Sequence, residues 1–266
     1  MSYEMIVLDL DNTLLNEDHK LDKKTVETVK KLKNLGKKVT IATGRMYVSA
    51  LPFIEKLNID LPVISYNGAY VYDPVNEEVI FHKAIPKERA FDIINETEKA
   101  NMHINLYRED KFFVEERNEG VEVYEKIAGI RGIEIGKLSE NFNDSPTKML
   151  IVEKDLKKKN YYLEYFKENY SDSLEITESK EIFIEFMAEG VSKAAALKEL
   201  SKTLNIDKEN IIALGDGFND LEMIEWAGLG IAMDNAPSGV KKRADIIAPH
   251  HNENGAAKIL KKIFDF

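Results

Sequence analysis

Residues 5–15 of the chain read MIVLDLDNTLL, an apolar run followed at once by two aspartates one residue apart. The apolar run predicts a buried strand, so Asp9 and Asp11 are expected where the strand ends and a loop begins. Open parallel sheets bind their ligands at the carboxyl ends of their strands. A polar turn that merely closes a strand would also explain the pair, and the rest of the chain decides between these interpretations.

Strands and helices alternate at both ends of the chain. Apolar positions at helical spacing predict helices over 22–35 and 191–204. Further strands of the same type are predicted at 39–42, 62–65, 210–214, 228–232 and 245–248. This alternation predicts an α/β fold with a doubly wound, Rossmann-like parallel sheet as its core.

The middle of the chain has a different pattern, with short alternating segments such as 102–107 and 111–114 that are typical of antiparallel strands. We therefore expect a smaller α+β domain, residues 84–185, inserted into the core. The core would then consist of residues 1–83 and 186–266.

Composition excludes several classes of protein. The 266 residues include no cysteine, which excludes a disulfide framework, thiolate catalysis and a thiolate metal site. A net charge of -10 argues against nucleic acid as a partner. No apolar run approaches membrane-spanning length and residues 1–4 carry no basic region. We expect a cytoplasmic protein with no membrane partner, either a monomer or a weak homodimer, that acts on a small molecule.

Four polar segments share one property: each follows a predicted strand or opens a predicted helix. They are Asp9 with Asp11, Thr43-Gly44-Arg45, Ser192-Lys193 and the run GDGFND at 215–220. In a doubly wound sheet all four can meet at the carboxyl edge, around the topological switch point.

The chemistry of the four segments is complementary. Asp9, Asp11 and Asp216 offer the hard oxygen ligands that suit Mg²⁺. Hydroxyl, amide and ammonium donors in the other segments suit phosphate oxygens. An aspartate beside Mg²⁺ can attack phosphorus, because the cation screens the repulsion between carboxylate and phosphate. A second carboxylate two residues on can protonate the leaving group and then activate water.

In this order, the four segments resemble the four motifs of the haloacid dehalogenase superfamily of phosphatases. Residues 9–15 resemble the first motif, Thr43 in ATGR the second, Lys193 in GVSK the third and residues 215–220 the fourth. Asn67-Gly68-Ala69 is similar to a segment of the Cof-type subfamily (type IIB), whose C2-type αβ cap is inserted between the second and third motifs. The insert here falls at that place, so the resemblance covers nearly the whole chain.

The resemblance implies a role for each matching residue. Asp9 would be the nucleophile that forms an aspartyl-phosphate, and Asp11 the general acid and then the general base. The Mg²⁺ ligands would be Asp9, Asp216 and the backbone carbonyl of Asp11, with Asp220 helping through water. The phosphate ligands would be Thr43, Gly44, Lys193 and Asn219.

Two positions depart from the family pattern. Asn12 replaces the usual glycine after the second aspartate, and Ala194 follows Lys193 where glycine is common. Asparagine tolerates unusual backbone angles better than most residues, so the loop is expected to survive. Neither change removes a catalytic atom.

Substrate specificity is expected to reside mainly in the cap. The candidate substrate residues are Arg45, Asn67, Tyr107, Arg108, Lys111, Lys148 and Glu185. Ordinary solvent exposure would explain the cap residues equally well, and Arg45 would equally well pair with an acidic side chain.

The leading hypothesis is a Mg²⁺-dependent phosphatase of small phosphorylated metabolites, such as sugar phosphates or similar phosphomonoesters. A phosphomutase on the same scaffold is an alternative, but its cap would need arginines for a second phosphate and this insert has few: Arg89, Arg108, Arg117 and Arg131. A non-catalytic phosphometabolite sensor, or a receiver-like module phosphorylated on Asp9, is a third hypothesis.

Overall fold

The structure is a computed structural model that describes residues 3–178 and 180–266. The chain divides into two compact units, one formed by Met1–Phe81 with Ser192–Phe266 and the other by His82–Val191. The predicted insert, residues 84–185, falls inside the second unit. None of the helices in the described ranges has the length and apolar character that a membrane span requires.

The elements are numbered along the whole chain. The strands are β1 (Met5–Leu8), β2 (Lys38–Ile41), β3 (Val63–Ser65), β4 (Tyr70–Asp73), β5 (Glu78–His82), β6 (His103–Arg108), β7 (Lys111–Val114), β8 (Ile133–Glu134), β9 (Lys148–Val152), β10 (Leu174–Thr177), β11 (Phe183–Ala188), β12 (Ile211–Gly215), β13 (Leu229–Met233) and β14 (Ile246–Ala248). The helices are α1 (Lys23–Asn34), α2 (Tyr47–Leu57), α3 (Lys87–Lys99), α4 (Glu119–Ala128), α5 (Leu138–Asn141), α6 (Leu156–Tyr170), α7 (Lys193–Thr203), α8 (Leu221–Trp226), α9 (Ser238–Lys241) and α10 (Gly255–Phe264).

The first unit contains a parallel sheet with the order β14-β13-β12-β1-β2. A parallel bridge between Ala42 and Ile64 extends it to β3. The strand order reverses between β1 and β12, and this reversal is the switch point at which doubly wound sheets bind ligands. The predicted doubly wound α/β core is therefore confirmed, and its switch point lies where Asp9 follows β1.

Strand β1 is an unbroken apolar run because both of its faces are buried, as is usual in parallel sheets. Ile6 and Leu8 pack into one hydrophobic cluster with residues of α1, α2 and α10. Met5 and Val7 pack into a second cluster with residues of α7 and α8. The strand is thus held rigidly from both sides, which fixes the position of the loop that follows it.

The second unit contains a six-stranded sheet with the order β10-β11-β9-β6-β7-β8. Its pairs are antiparallel except for β7 with β8. Apolar residues on one face of this sheet, among them Ile104 and Phe186, pack against Ile93 of α3 and Phe166 of α6. This is the mixed αβ character that the sequence predicts for the insert.

Candidate active site

The four predicted segments meet at the carboxyl edge of the parallel sheet in the first unit. Lys193 is the first residue of α7 and is fully buried. Its Nζ donates to Asp9 Oδ1 and to Asp220 Oδ1, both at 2.6 Å. Ser192 caps the helix by accepting from the backbone N–H of Ala195 at 3.1 Å. The helix start and the ion pairs together fix the lysine between two strand ends.

Asp220 uses both of its carboxylate oxygens inside the site. Oδ1 accepts from Lys193, and Oδ2 accepts from the backbone N–H groups of Asp216 and Gly217, each at 2.9 Å. These bonds fold the segment after β12 into a tight turn. Asp220 therefore holds both the Lys193 ammonium group and the backbone of residues 216 and 217 in place.

Three carboxylates form a cluster in which one oxygen each of Asp9, Asp216 and Asp220 lies within 4.8 Å of the others. Asp216 is held by two further contacts: Thr13 Oγ1 donates to its Oδ1 at 3.4 Å and Asn235 Nδ2 donates to its Oδ2 at 3.2 Å. The cluster is therefore oriented by neighbouring side chains.

The charge balance of the cluster favours a divalent cation. Burial raises the pKa of Asp9 well above its ordinary value, against the opposing charge of Lys193. Burial and the charge of Asp220 raise the pKa of Asp216 to about 7. Three carboxylates against one ammonium group leave negative charge uncompensated, and hard oxygen donors around such charge fit Mg²⁺.

Lys193 itself stays charged. Burial alone would lower the pKa of Lys193, but the charges and hydrogen bonds of Asp220 and Asp9 outweigh it and raise the pKa above its ordinary value. The site therefore keeps one fixed positive charge beside Asp9.

Asp11 lies in a different electrostatic environment from Asp9. Arg45 forms a bidentate pair with it, with Nε 2.7 Å from Oδ2 and Nη2 2.6 Å from Oδ1, and His19 Nδ1 lies 3.4 Å from Oδ1. Burial alone would raise the pKa of Asp11, but the hydrogen bonds from Arg45 and His19 hold it well below its ordinary value. The two carboxylates of this segment therefore have pKa values shifted in opposite directions.

The predicted phosphate-binding segments lie next to each other. Thr43 is fully buried, and its Oγ1 accepts from the backbone N–H of Arg45 at 3.1 Å. Asn219 Nδ2 donates to Asn67 Oδ1 at 3.0 Å, which joins the fourth segment to the loop after β3. The structure thus brings Asn67 to the core residues named by the sequence.

The loop after Asp11 adopts the backbone that the sequence predicts. Asn12 has φ +55°, in the left-handed region that glycine usually occupies. Its carbonyl accepts from Asn235 Nδ2 at 3.0 Å.

The candidate substrate residues of the second unit form two groups. Lys148 and Glu185 form a buried ion pair at 2.9 Å, and Lys148 Nζ lies 5.8 Å from the centre of the buried Tyr107 ring. Arg108 and Lys111 lie opposite each other across the β6–β7 pair, and Arg108 is ion-paired with Asp144. Their contact with a substrate stays a prediction.

Two residues of this site were not predicted from the sequence. Asn235 bridges Asp216 and the Asn12 carbonyl, and His19 contacts Asp11. Asn235 follows β13 by two residues, so the rule that polar residues after parallel strands face the crevice would have found it. His19 lies in a surface turn and carries no such signal.

A sequence profile described as haloacid dehalogenase-like hydrolase matches residues 6–260. The chain belongs to this family. Among its curated relatives, the 5-amino-6-(5-phospho-D-ribitylamino)uracil phosphatase YitU of Bacillus subtilis is 31% identical, over 98% of this chain and 97% of its own. The pyridoxal phosphate phosphatase YbhA of Escherichia coli is 28% identical, over 98% of both chains.

Solved structures share the fold over nearly all of the chain. TM0651 from Thermotoga maritima aligns with a TM-score of 0.88 and 34% identity, covering 98% of this chain and 97% of that one. The subclass IIB sugar phosphatase BT4131 aligns with a TM-score of 0.86 and 27% identity, covering 99% of this chain and 100% of that one. The chain is therefore a Cof-type phosphatase of this family, as the sequence motifs predict.

Proposed function

We propose that the protein is a Mg²⁺-dependent phosphatase that hydrolyses small phosphomonoesters, sugar phosphates or similar metabolites, through an aspartyl-phosphate on Asp9. The observation that carries the proposal is the buried Asp9 carboxylate, bonded to Lys193 and within 4.8 Å of oxygens of Asp216 and Asp220. The curated relatives named above are phosphatases of phosphorylated metabolites, which supports the substrate class. Like the monomeric or weakly dimeric state, the cytoplasmic location stays a prediction.

In the proposed reaction, an Asp9 oxygen attacks phosphorus and the bond from phosphorus to the leaving oxygen breaks. Asp11 donates a proton to that oxygen, so the alcohol leaves neutral. Asp11 then takes a proton from water, the water oxygen attacks phosphorus, and the bond to Asp9 breaks to release inorganic phosphate. Since Arg45 holds Asp11 ionised in this structure, the acid step requires those hydrogen bonds to loosen.

The residues that would hold Mg²⁺ are Asp9, Asp216 and the backbone carbonyl of Asp11, with Asp220 acting through water. A bound Mg²⁺ would supply charge neutralisation for the phosphate oxygens. Thr43, Gly44, Lys193 and Asn219 would bind those oxygens through hydrogen bonds, and Lys193 would add its fixed charge.

A phosphomutase receives less support from the second unit. Such an enzyme needs cap arginines for a second phosphate, but three of the four are ion-paired with carboxylates of their own unit: Arg89 with Asp92, Arg108 with Asp144 and Arg117 with Glu125. Hydrolysis is the function that these contacts favour.

A phosphate-release screen of phosphorylated metabolites tests the proposal. We expect Mg²⁺-dependent release of phosphate from several small phosphomonoesters and from p-nitrophenyl phosphate, and none in excess EDTA. Isomerisation of a hexose 1-phosphate without net phosphate release would instead favour the mutase. Tight binding without turnover across the panel would favour the sensor.

Mg²⁺ is expected to stabilise the protein, and more so at higher pH. Without metal, burial and the charge of Asp220 raise the pKa of Asp216 to about 7, whereas an aspartate in the unfolded chain has a pKa of about 3.9. The folded state thus binds more protons between these values, so the contribution of Asp216 to metal-free stability falls as pH rises through them. Because Mg²⁺ replaces the proton, the rise in Tm on adding Mg²⁺ should be larger at pH 8 than at pH 6.

Thermal unfolding with EDTA or saturating Mg²⁺ measures this effect. At a hundred times Kd a ligand adds about 2.7 kcal/mol, which corresponds to a rise in Tm of roughly 5 °C or more. Asp216→Asn should remove most of the rise, while the exposed Asp234→Asn should retain it. A rise that is equal at both pH values contradicts the assignment of Asp216.

Asp11→Asn is expected to lower kcat by about 10²- to 10⁴-fold, the usual size of a general acid–base contribution. Its backbone carbonyl remains, so the Mg²⁺-induced rise in Tm should be retained. Steady-state kinetics and thermal unfolding of the same preparation check both statements. A variant that keeps its turnover, or one that loses the response to Mg²⁺, contradicts the division of roles between Asp9 and Asp11.

A further inference from the structure

The loop after β3 has an unusual backbone. Tyr66, Asn67 and Gly68 have φ values of +50°, +53° and +103° in succession. Left-handed backbone at two consecutive residues with side chains is uncommon, and such conformations persist only where the surroundings impose them. The contacts that impose this backbone therefore indicate the role of the loop.

The backbone of the loop is bonded to the second motif. The N–H of Tyr66 donates to the carbonyl of Arg45 at 2.9 Å, and the N–H of Asn67 donates to the carbonyl of Thr43 at 3.0 Å. The loop also abuts the start of α7, because a Cβ on Gly68 would lie 2.3 Å from the carbonyl oxygen of Ser192. The loop is thus hydrogen-bonded to the second motif and packed against the third.

The side chain of Asn67 reaches the remaining phosphate-binding segment. Asn67 is buried, and its Oδ1 accepts from Asn219 Nδ2 at 3.0 Å. A Cβ added to Gly44 would lie 2.9 Å from the same Asn67 oxygen. The Asn67 amide therefore fills the space where a side chain at position 44 would lie. Asn67 therefore separates Gly44 from Asn219.

We propose that Asn67 is a positioning residue that holds Asn219 and the Thr43–Gly44 backbone at the spacing that phosphate requires. Because its Oδ1 accepts one hydrogen of the Asn219 amide, the other hydrogen has a fixed direction in which to meet an anion. This inference rests on the proposed function, since it concerns the phosphate that the site would bind.

If the loop had only a structural role, changing Asn67 would lower Tm without weakening phosphate inhibition. Two variants of Asn67 distinguish this role from the positioning role. Asn67→Gly keeps a residue that accepts positive φ but removes the amide. Asn67→Asp keeps both the acceptor and the tolerance for left-handed backbone, but places a negative charge beside the phosphate. Asn58→Gly is the matched control, since Asn58 is exposed, lies in the same unit and has φ +50°.

The experiment measures inhibition by inorganic phosphate and by orthovanadate in the presence of Mg²⁺, with Tm and the Mg²⁺ requirement as further readouts. Asn67→Gly should weaken phosphate inhibition by about tenfold or more, and Asn67→Asp should weaken it further. Both should keep the Mg²⁺ requirement of wild type, and Asn58→Gly should keep wild-type inhibition. In the background of Asn219→Ala, the further loss on Asn67→Gly should be smaller than the loss in wild type, because part of the effect of Asn67 is exerted through Asn219.

Wild-type phosphate inhibition in Asn67→Gly, or losses that simply add in the double variant, would overturn the inference. A lower Tm with unchanged inhibition would do the same and assign the loop a structural role. If wild type hydrolyses no phosphomonoester, the proposed function fails together with this inference. If wild type is active and only the Asn67 results disagree, the inference fails alone.

Discussion

Asp9→Asn is expected to abolish phosphatase turnover, lowering kcat by about 10⁴-fold or more, as removal of a nucleophile does in enzymes that form covalent intermediates. Asparagine has nearly the same shape as aspartate, and its carbonyl oxygen can still accept from Lys193. What it lacks is the anionic oxygen that would attack phosphorus and bind the cation. The measurement is kcat with p-nitrophenyl phosphate and with the best substrate of the screen.

The loss of activity in Asp9→Asn should not come from unfolding. Burial raises the pKa of Asp9, so its charged form is disfavoured in the folded protein, and the neutral amide relieves that cost. Tm in EDTA should therefore be close to that of wild type, while the response to Mg²⁺ is lost. Turnover within about tenfold of wild type would end the assignment of Asp9 as the nucleophile.

Lys193→Met is expected to damage both stability and activity. Lys193 is fully buried and bridges Asp9 and Asp220. Removing one partner of a buried ion pair costs about 3–5 kcal/mol, because a buried charge is left uncompensated, which corresponds to a fall in Tm of roughly 6 °C or more. Activity should also fall by about 10²-fold or more, since a preorganised donor beside the phosphate is lost.

Thermal unfolding in EDTA checks the stability effect, and Lys202→Met is the control. Lys202 lies on the same helix, and its pair with Glu199 is exposed, so its removal should change stability by less than about 1 kcal/mol. The deficit of Lys193→Met should shrink at low pH, where the carboxylates take up protons. Equal Tm values for the two variants would contradict the bridging role of Lys193.

The sequence predicts the core of the site well because its residues follow hydrophobic runs. Asp9, Thr43 and Asp216 come directly after strands whose apolar runs are easy to recognise, and parallel topology then brings those strand ends to one edge. The same pattern also predicts the parallel sheet. Motif spacing supplied the order of the segments and the position of the insert.

The parts that sequence reasoning missed depend on tertiary contacts. Asn235 meets the Asn12 carbonyl across 223 positions of the chain. Arg45 was equally compatible with substrate or with an acidic partner, and only the fold places its guanidinium on Asp11. Helix α2 was not predicted, and Pro52 inside it is a residue that usually interrupts helices. Burial of Ala50, Ile54 and Leu57 against the core is the tertiary contribution that holds the helix in place.

The opposite pKa shifts of Asp9 and Asp11 also could not be predicted from the sequence. The two residues are two positions apart and chemically identical, so their motif assigns roles only by resemblance. In the structure, burial among other carboxylates acts on Asp9, and the Arg45 guanidinium acts on Asp11. These shifts run opposite to the proposed roles, because an attacking Asp9 must be ionised and a general acid at Asp11 must carry a proton. A bound Mg²⁺ would favour the ionised form of Asp9, and the acid step requires the Arg45 contact with Asp11 to loosen.

The most direct test of the central claim is to trap the phosphorylated enzyme. Protein mixed with Mg²⁺ and substrate is quenched in acid, reduced with borohydride, which converts an aspartyl-phosphate to homoserine, and digested for peptide mass spectrometry. We expect homoserine at position 9 in the wild-type protein, and none in Asp9→Asn or in EDTA. A phosphoryl group on another residue, or full turnover with no protein-bound phosphate at any quench time, would contradict it.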